Sequence, residues 1–286
     1  PPLYTHTAPT ETHTRPWSSA ASDVYKRQDE VWIWSDVDGI LTADPNIVPQ
    51  ARTLEELSYD EASDLSYYGA DVLHPKTIRP VVASGIPLRL LNTFNPSHPG
   101  TLIVRDPRPD RELLPAIIST TGLTMIAMGS QDDSWTPEAA ARVLRRLCEA
   151  GLEVPMFSQS FSEHSLNLVV REQDLDHCLK LLCDEFGGDI SAACEGESEG
   201  GTASRQLTSN GYRLGTKEKV STVSVVGVPG WNETGIVAHT FAALGKYGTR
   251  VIAVAQAASE FSVSFCIPED QVNETVRFLH RELGLE

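Results

Sequence analysis

Two stretches of the chain repeat each other: Gln159-Ser160-Phe161-Ser162-Glu163-His164-Ser165 and Gln256-Ala257-Ala258-Ser259-Glu260-Phe261-Ser262. Laid in register without gaps, Gln159, Ser162, Glu163 and Ser165 fall on Gln256, Ser259, Glu260 and Ser262. The correspondence runs on in both directions, with Glu172 on Glu269, Leu147 on Leu244, Gly151 on Gly248, Val154 on Val251 and Val170 on Ile267. Self-similarity of this extent marks one supersecondary module used twice.

Each copy reads as strand, helix, strand, strand, helix. The first runs Leu123–Met128, Pro137–Ala150, Val154–Ser160, His164–Val170 and Gln173–Phe186; the second runs Val220–Gly227, Glu233–Tyr247, Arg250–Gln256, Phe261–Ile267 and Glu269–Leu283. That order suits an α+β, ferredoxin-like βαββαβ module with helices on one face of an antiparallel sheet. Neither copy shows its last strand; Leu114–Ser119 and Arg205–Arg213 are the candidates to supply it. Between the copies, Cys194–Ser204, rich in Glu, Gly and Ser, reads as a solvated loop.

Upstream the pattern changes to α/β. Val31-Trp32-Ile33-Trp34 reads as a buried strand running into the polar loop Ser35-Asp36-Val37-Asp38-Gly39, and loops at the carboxyl ends of such strands are where α/β folds bind ligands. Ser58 and Glu61 have capping-box spacing and predict a helix over Tyr59–Tyr68, with Gly69 as its stop. Pro75 opens a second helix reaching Gly85; Pro87–Leu91 and Thr101–Val104 read as strands, and Asp106–Asp110 as a linker. Pro1–Asp29, rich in Thr, Ser, His and Pro without periodicity, reads as a disordered or non-native leader.

The 286 residues carry 23 basic and 39 acidic side chains, a formal charge of −16. This argues against an extended nucleic-acid footprint or an anionic-membrane patch. No apolar run approaches the roughly 20 residues that span a bilayer, and no signal pattern opens the chain, so a cytoplasmic location is expected. The five cysteines, Cys148, Cys178, Cys183, Cys194 and Cys266, lack metal or redox spacing, and Cys178, Cys183 and Cys266, in apolar stretches, are expected to pack. His74 and His164 lack metal-ligand neighbours, and no metal site is expected in the protein itself.

Three motifs carry a family resemblance. Trp34-Ser35-Asp36-Val37-Asp38-Gly39-Ile40-Leu41-Thr42-Ala43-Asp44-Pro45 resembles the aspartokinase signature in which a Thr-Asp-Val-x-Gly loop precedes an x-Thr-x-Asp-Pro turn. Tyr68-Gly69-Ala70-Asp71-Val72-Leu73-His74-Pro75 is similar to the family's Phe-Gly-Ala-Lys-Val-Leu-His-Pro, and Asn92-Thr93-Phe94-Asn95-Pro96-Ser97-His98-Pro99-Gly100-Thr101 follows in the family's order. The resemblance covers Glu30 to Glu286. It implies the C-terminal portion of an amino-acid-kinase fold followed by two ACT modules, with 1–29 as leader, 30–107 as the nucleotide side of the catalytic domain, 112–190 as the first ACT domain and 205–286 as the second.

The same resemblance implies ATP-dependent phosphorylation of L-aspartate to 4-phospho-L-aspartate, the first step toward lysine, threonine and methionine, with Mg2+ accompanying ATP. It places nucleotide contacts at Ser35, Asp36, Leu41, Asn46, Asp71 and Val72. A hydroxyl and a carboxylate at a strand end suit ribose and adenine; the competing reading is a loop in which Asp36 and Asp38 satisfy backbone N–H groups. Two departures remove positive charge near phosphate: Asn46 stands where the family has Arg, and Asp71 where it has Lys. The family's Lys-Phe-Gly-Gly motif and aspartate-gripping residues have no counterpart in Pro1–Asp29, so no catalytic residue is assigned, and the chain alone is expected to be an inactive, truncated kinase.

For the repeats, the resemblance implies an amino-acid effector bound between paired modules. Val228-Pro229-Gly230-Trp231-Asn232-Glu233-Thr234-Gly235-Ile236 resembles the family's effector turn, where small residues let a carboxylate approach helix N–H groups. The candidate effector residues are Asn232, Glu233, Gly235 and Ile236, with Gln159, Ser162, Glu163, Gln256, Ser259 and Glu260; turn formation explains the Ser-Glu pairs equally well. In the first copy Thr136 and Pro137 read instead as N-cap and first helical residue. Lysine and threonine both remain open as effector, and homo-oligomerisation through the ACT modules is implied. The alternatives are a non-catalytic ACT regulatory subunit and a fragment of bifunctional aspartokinase–homoserine dehydrogenase, the latter ranked lower because no Gly-x-Gly-x-x-Gly follows the repeats.

Overall fold

The computed structural model describes residues 29–67, 81–130, 135–160, 164–187, 194–197, 203–209, 212–227, 235–256 and 262–286. They form two compact units, Pro1–Leu41 with Thr53–Glu112, and Thr42–Arg52 with Leu113–Glu286. The leader up to residue 28, Tyr68, Gly69, the start of the helix at Pro75 and the histidine His74 lie outside the described residues.

In the first unit, β1 (Val31–Ser35), β2 (Glu56–Ser58), β3 (Leu88–Asn92) and β4 (Thr101–Val104) form a mixed sheet in the order β1-β3-β4-β2. β1 runs parallel to β3 and β2 parallel to β4, while β3 and β4 are antiparallel. Leu57, Leu88, Leu90 and Ile103 are its largest fully buried side chains among the described residues; burial of each aliphatic side chain contributes about 1.5–3 kcal/mol.

The predicted capping box forms. α1 (Tyr59–Tyr67) begins where the Ser58 N–H donates to Glu61 Oε2 at 2.7 Å and the Glu61 N–H returns to Ser58 Oγ at 3.2 Å. The stretch read as a linker has a structural task. The Arg108 N–H and Nε donate to the two carboxylate oxygens of Glu56 at 2.8 and 2.5 Å; Arg111 donates to the Glu56 carbonyl and to Glu61 Oε1, both at 2.6 Å. Burial pushes both carboxyls up, but the Arg108 bonds on Glu56, and the Arg111 and Ser58 bonds on Glu61, outweigh it and hold both below the usual carboxylate range.

In the second unit, β5 (Ala116–Ser130), β6 (Met156–Ser160), β7 (Ser165–Arg171), β8 (Cys194–Glu197), β9 (Ala203–Ser209), β10 (Tyr212–Val226), β11 (Ala253–Gln256) and β12 (Ser262–Pro268) form one sheet along the path β11-β12-β10-β5-β7-β6. α2 (Pro137–Glu149) and α3 (Leu175–Phe186) belong to the first repeat; α4 (Ile236–Tyr247) and α5 (Val272–Glu282) belong to the second.

The missing last strands come from an exchange. β5 and β10 are each fifteen residues long and pair antiparallel along their length. Met125–Ser130 pairs with β7 and with Tyr212–Lys217, so the front of β10 is the last strand of the first repeat. Conversely, Ala116–Thr120 pairs with Thr222–Val226, so the front of β5 completes the second repeat, as the candidate Leu114–Ser119 anticipated. Both repeats thereby acquire the strand order 4-1-3-2 expected of a βαββαβ module. The crossover points are irregular: Gly122 and Lys219 adopt φ of 68° and 54°, and the register shifts on either side of Val220.

Cys194–Ser204 is not simply a loop. β8 pairs with β9 in a hairpin, and β9 adds to β10 outside the first repeat, so of the candidate Arg205–Arg213 only Tyr212 and Arg213 join the completing strand. The unpaired backbone edge of a long strand overrides the weak strand propensity of Glu and Gly.

Each repeat has its own core beneath its helices: Ile126, Val143, Leu147, Leu166 and Leu179 in the first, Val223, Phe265, Val276 and Leu279 in the second. A third cluster, with Met125, Met156, Val169, Cys266 and Ile252, joins residues of both repeats. Cys178, Cys183 and Cys266 are buried as expected, and burial pushes the Cys178 and Cys266 thiols up to about 11 and about 12.

Candidate functional site

The loop after β1 is fixed by its surroundings. The Thr93 N–H donates to the Ser35 carbonyl at 2.8 Å, extending the β1–β3 pairing past the strand end. Asp38 Oδ1 accepts from Asn92 Nδ2 at 2.9 Å and Asn95 Nδ2 at 3.0 Å, and its carbonyl accepts from Thr53 Oγ1 at 3.2 Å. The buried Ile40 N–H donates to Thr101 Oγ1 at 2.8 Å.

Two glycines make this approach possible. A Cβ on Gly39, whose φ is 103°, would lie 2.4 Å from Thr101 Oγ1, and one on Gly100, whose φ is 67°, would lie 1.8 Å from the Leu90 carbonyl oxygen. No other residue type fits either place.

These contacts separate the two aspartates. Asp38 is a brace, held by side-chain amides and not by the backbone N–H groups of the turn reading, whereas Asp36 is exposed and accepts from the Ser35 hydroxyl at 3.2 Å. A carboxylate and hydroxyl so presented are acceptors and donors for sugar hydroxyls and ring nitrogens. Leu41, half-buried, bridges Thr53. Asn46 belongs to the segment that groups with the second unit, and its N–H and side-chain amide both donate to Asp44 Oδ1, at 2.9 and 3.0 Å. Asp71 and Val72 lie outside the described residues. The bracing by Asn92, Asn95 and Thr101 was not assigned from sequence; the two asparagines beside a strand end were the available signal.

In the second unit, Gln159 and Gln256 occupy matching exposed positions near the ends of β6 and β11. Ser162, Glu163, Asn232, Glu233, Ser259 and Glu260 lie outside the described residues. The helix starts of the repeats differ. α2 is closed by its own residues, the Ala139 N–H donating to Thr136 Oγ1 at 3.2 Å with Pro137 in the first turn. α4 starts after Gly235, with φ of 79° and, among the described residues, no side-chain cap and no atom within 4 Å of where a Cβ would stand. The Ile236 side chain is buried in the core, leaving only its backbone for any ligand.

Among the described residues no group of three His, Cys, Asp or Glu side chains gathers to hold a metal ion, and no helix is long and apolar enough to cross a membrane.

Known proteins match both units. The amino acid kinase family signature matches residues 25–92, and the ACT domain signature matches 134–186 and 223–283. The bifunctional aspartokinase/homoserine dehydrogenase of Haemophilus influenzae is 32% identical over 88% of this chain and 29% of its own length. The chloroplastic aspartokinase 2 of Arabidopsis thaliana is 28% identical over 88% of this chain and 43% of its own length. The chain thus spans well under two thirds of these relatives.

Among solved structures, Clostridium acetobutylicum aspartate kinase superposes with a TM-score of 0.69 at 25% identity, covering 93% of this chain and 57% of that one. Escherichia coli aspartokinase III, solved with aspartate and ADP, shares the fold with a TM-score of 0.72 at 24% identity, covering 93% of this chain and 55% of that one. In sequence signatures and in fold, the chain is an aspartokinase relative that joins a segment of the amino acid kinase family to a pair of ACT domains.

Proposed function

We propose that this chain is the nucleotide-side kinase segment and ACT pair of an aspartate kinase, which transfers the γ-phosphoryl group of ATP to the side-chain carboxylate of L-aspartate. The observation that carries this reading is the division of labour after β1: Asp38 is consumed in bracing the loop, while Asp36 and Ser35 are presented together at the strand end. Ser35 and Asp36 hold the ribose and base, with Leu41 flanking the loop. Asn46 and Asp71, without a cation, weaken the grip on phosphate; a charge-assisted bond contributes about 1.5–3 kcal/mol. Mg2+ would arrive with the phosphates of ATP and neutralise charge there.

The ACT pair binds an amino acid, lysine or threonine, at the second repeat. The start of α4 at Gly235, which no described side chain caps, favours that repeat over the first, whose helix is closed by Thr136 and Pro137. E. coli aspartokinase III has been solved with lysine. Self-association through the ACT domains accompanies this reading.

Calorimetric titration of the purified chain with Mg-ADP, and separately with lysine and threonine, tests both halves. Saturable ADP binding that Asp36→Asn abolishes supports the kinase reading. Binding of an amino acid without ADP supports the regulatory-subunit alternative, and binding of neither overturns both.

A further inference from the structure

The segment Thr42–Arg52 follows the nucleotide loop in sequence yet groups with the ACT repeats. Its base is closed by Thr42: the Thr42 N–H donates to the Arg52 carbonyl at 2.8 Å, and the Arg52 N–H donates to Thr42 Oγ1 at 2.9 Å. Within it, the N–H groups of Ile47 and Val48 donate to the Asp44 carbonyl at 3.0 and 2.9 Å, forming the turn on which Asn46 stands. Ala43, Ile47 and Val48 are buried in the same core as Val276, Leu279 and Leu283 of the second repeat.

Helix α5 adds two polar anchors three residues apart, hence on one face. Arg277 Nε donates to the Ile47 carbonyl at 2.9 Å, and His280 Nε2 meets Thr42 Oγ1 at 3.0 Å. The Thr42 carbonyl accepts from the Ile117 N–H of β5 at 2.8 Å. α5 also packs against α4, the helix that opens at Gly235.

We propose that Arg277 and His280 are positioning residues: they fix the segment Thr42–Arg52, with the turn that carries Asn46, to α5, so the second ACT repeat sets the geometry of that turn. The functional half of this inference rests on reading Asn46 as a nucleotide contact. The anchoring half rests only on the bonds above.

The test uses the 286-residue chain and its Arg277→Ala and Arg277→Lys variants. Arg277 is exposed, so the helix tolerates both. Amide hydrogen exchange in the peptide spanning residues 42–52 is expected to speed up at least about tenfold in Arg277→Ala, with β5 and β10 unchanged, and to return toward the parent rate in Arg277→Lys. ADP affinity is expected to weaken at least about threefold in the alanine variant and to recover in the lysine one. Unchanged exchange in that peptide, or a uniform rise across the chain, overturns the anchor. If the parent chain binds no ADP, the nucleotide reading of Asn46 falls, and the exchange rates still judge the anchor.

Discussion

Thr42 and His280, 238 positions apart in sequence, meet side chain to side chain at 3.0 Å in the core of the second unit. The imidazole is 1% exposed and its Nδ1 has no hydrogen-bond partner among the described residues. A protonated ring would bury an Nδ1–H donor with no acceptor, so the neutral ring, sharing one hydrogen between Nε2 and the Thr42 hydroxyl, is the form that fits. Burial pushes its pKa down, the Arg52 charge adds to that, and the Glu286 carboxylate opposes it. The unfolded chain then binds a proton that the folded chain refuses. The His280 contribution is therefore full above about pH 6.5 and is lost as the pH falls from there through the depressed folded value. In urea melts between pH 7 and 5.5, the parent is expected to lose more stability than His280→Gln, by up to about 1.4 kcal/mol per pH unit. Parallel curves for the two proteins would show that the ring does not titrate this way.

Arg111 should matter more to the first unit than its place directly after a stretch read as a linker suggests. Its guanidinium and the Glu61 carboxylate are 12% and 10% exposed as side chains, and Glu61 also closes the N-terminus of α1. Removing one member of a buried pair leaves the other uncompensated, so Arg111→Ala should cost about 3 kcal/mol. Because the Glu61 pKa is depressed, the pair stabilises above the ordinary carboxylate range and its contribution is lost as the pH falls through the folded value. Thermal unfolding should show the variant's deficit at pH 7 and a shrinking difference from the parent in acid.

The glycines offer a graded comparison. Gly100 and Gly122 have nearly the same φ, 67° and 68°, yet a Cβ at Gly100 would sit 1.8 Å from the Leu90 carbonyl oxygen whereas one at Gly122 would have no described atom within 4 Å. Gly122→Ala should cost only the left-handed backbone penalty, about 1–2 kcal/mol. Gly100→Ala adds a clash with backbone that cannot rotate away, and should exceed about 4 kcal/mol. Equal melting points for the two variants would contradict the packing described at β4.

What could be read from the sequence was what is encoded locally or repeated. Ser58 and Glu61 announce their capping box because its partners stand three residues apart, and Thr136 with Pro137 announces the start of α2. Repetition of Gln159 through Glu172 at Gln256 through Glu269 revealed the two modules before any strand was paired. The exchange of β5 and β10 was only half visible, since each strand is the first of one repeat and the last of the other, and pattern alone shows the first role. The clasp of Arg108 and Arg111 on Glu56 and Glu61 spans fifty positions or more, and no periodicity reports such pairs. At the site, the motif pointed to Ser35 and Asp36, but that Asn92 and Asn95 reserve Asp38 for bracing became visible only in three dimensions.

That reservation makes the two aspartates separable by experiment. Asp38→Asn removes the charge that accepts from Asn92 and Asn95 and faces their amides with an amide of its own, so it should lower stability by about 1.5–3 kcal/mol. Asp36 is exposed and its described contact is the Ser35 hydroxyl, so Asp36→Asn should leave unfolding within about 0.5 kcal/mol of the parent. Its effect belongs to the ligand: loss of a charge-assisted bond to ribose should weaken ADP at least about tenfold, read by calorimetry. A variant that binds ADP normally at Asp36→Asn and melts normally at Asp38→Asn would reverse the roles given to both side chains. Binding weakened at Asp36 with stability lost at Asp38 would tie the nucleotide to the exposed carboxylate and the fold to the braced one.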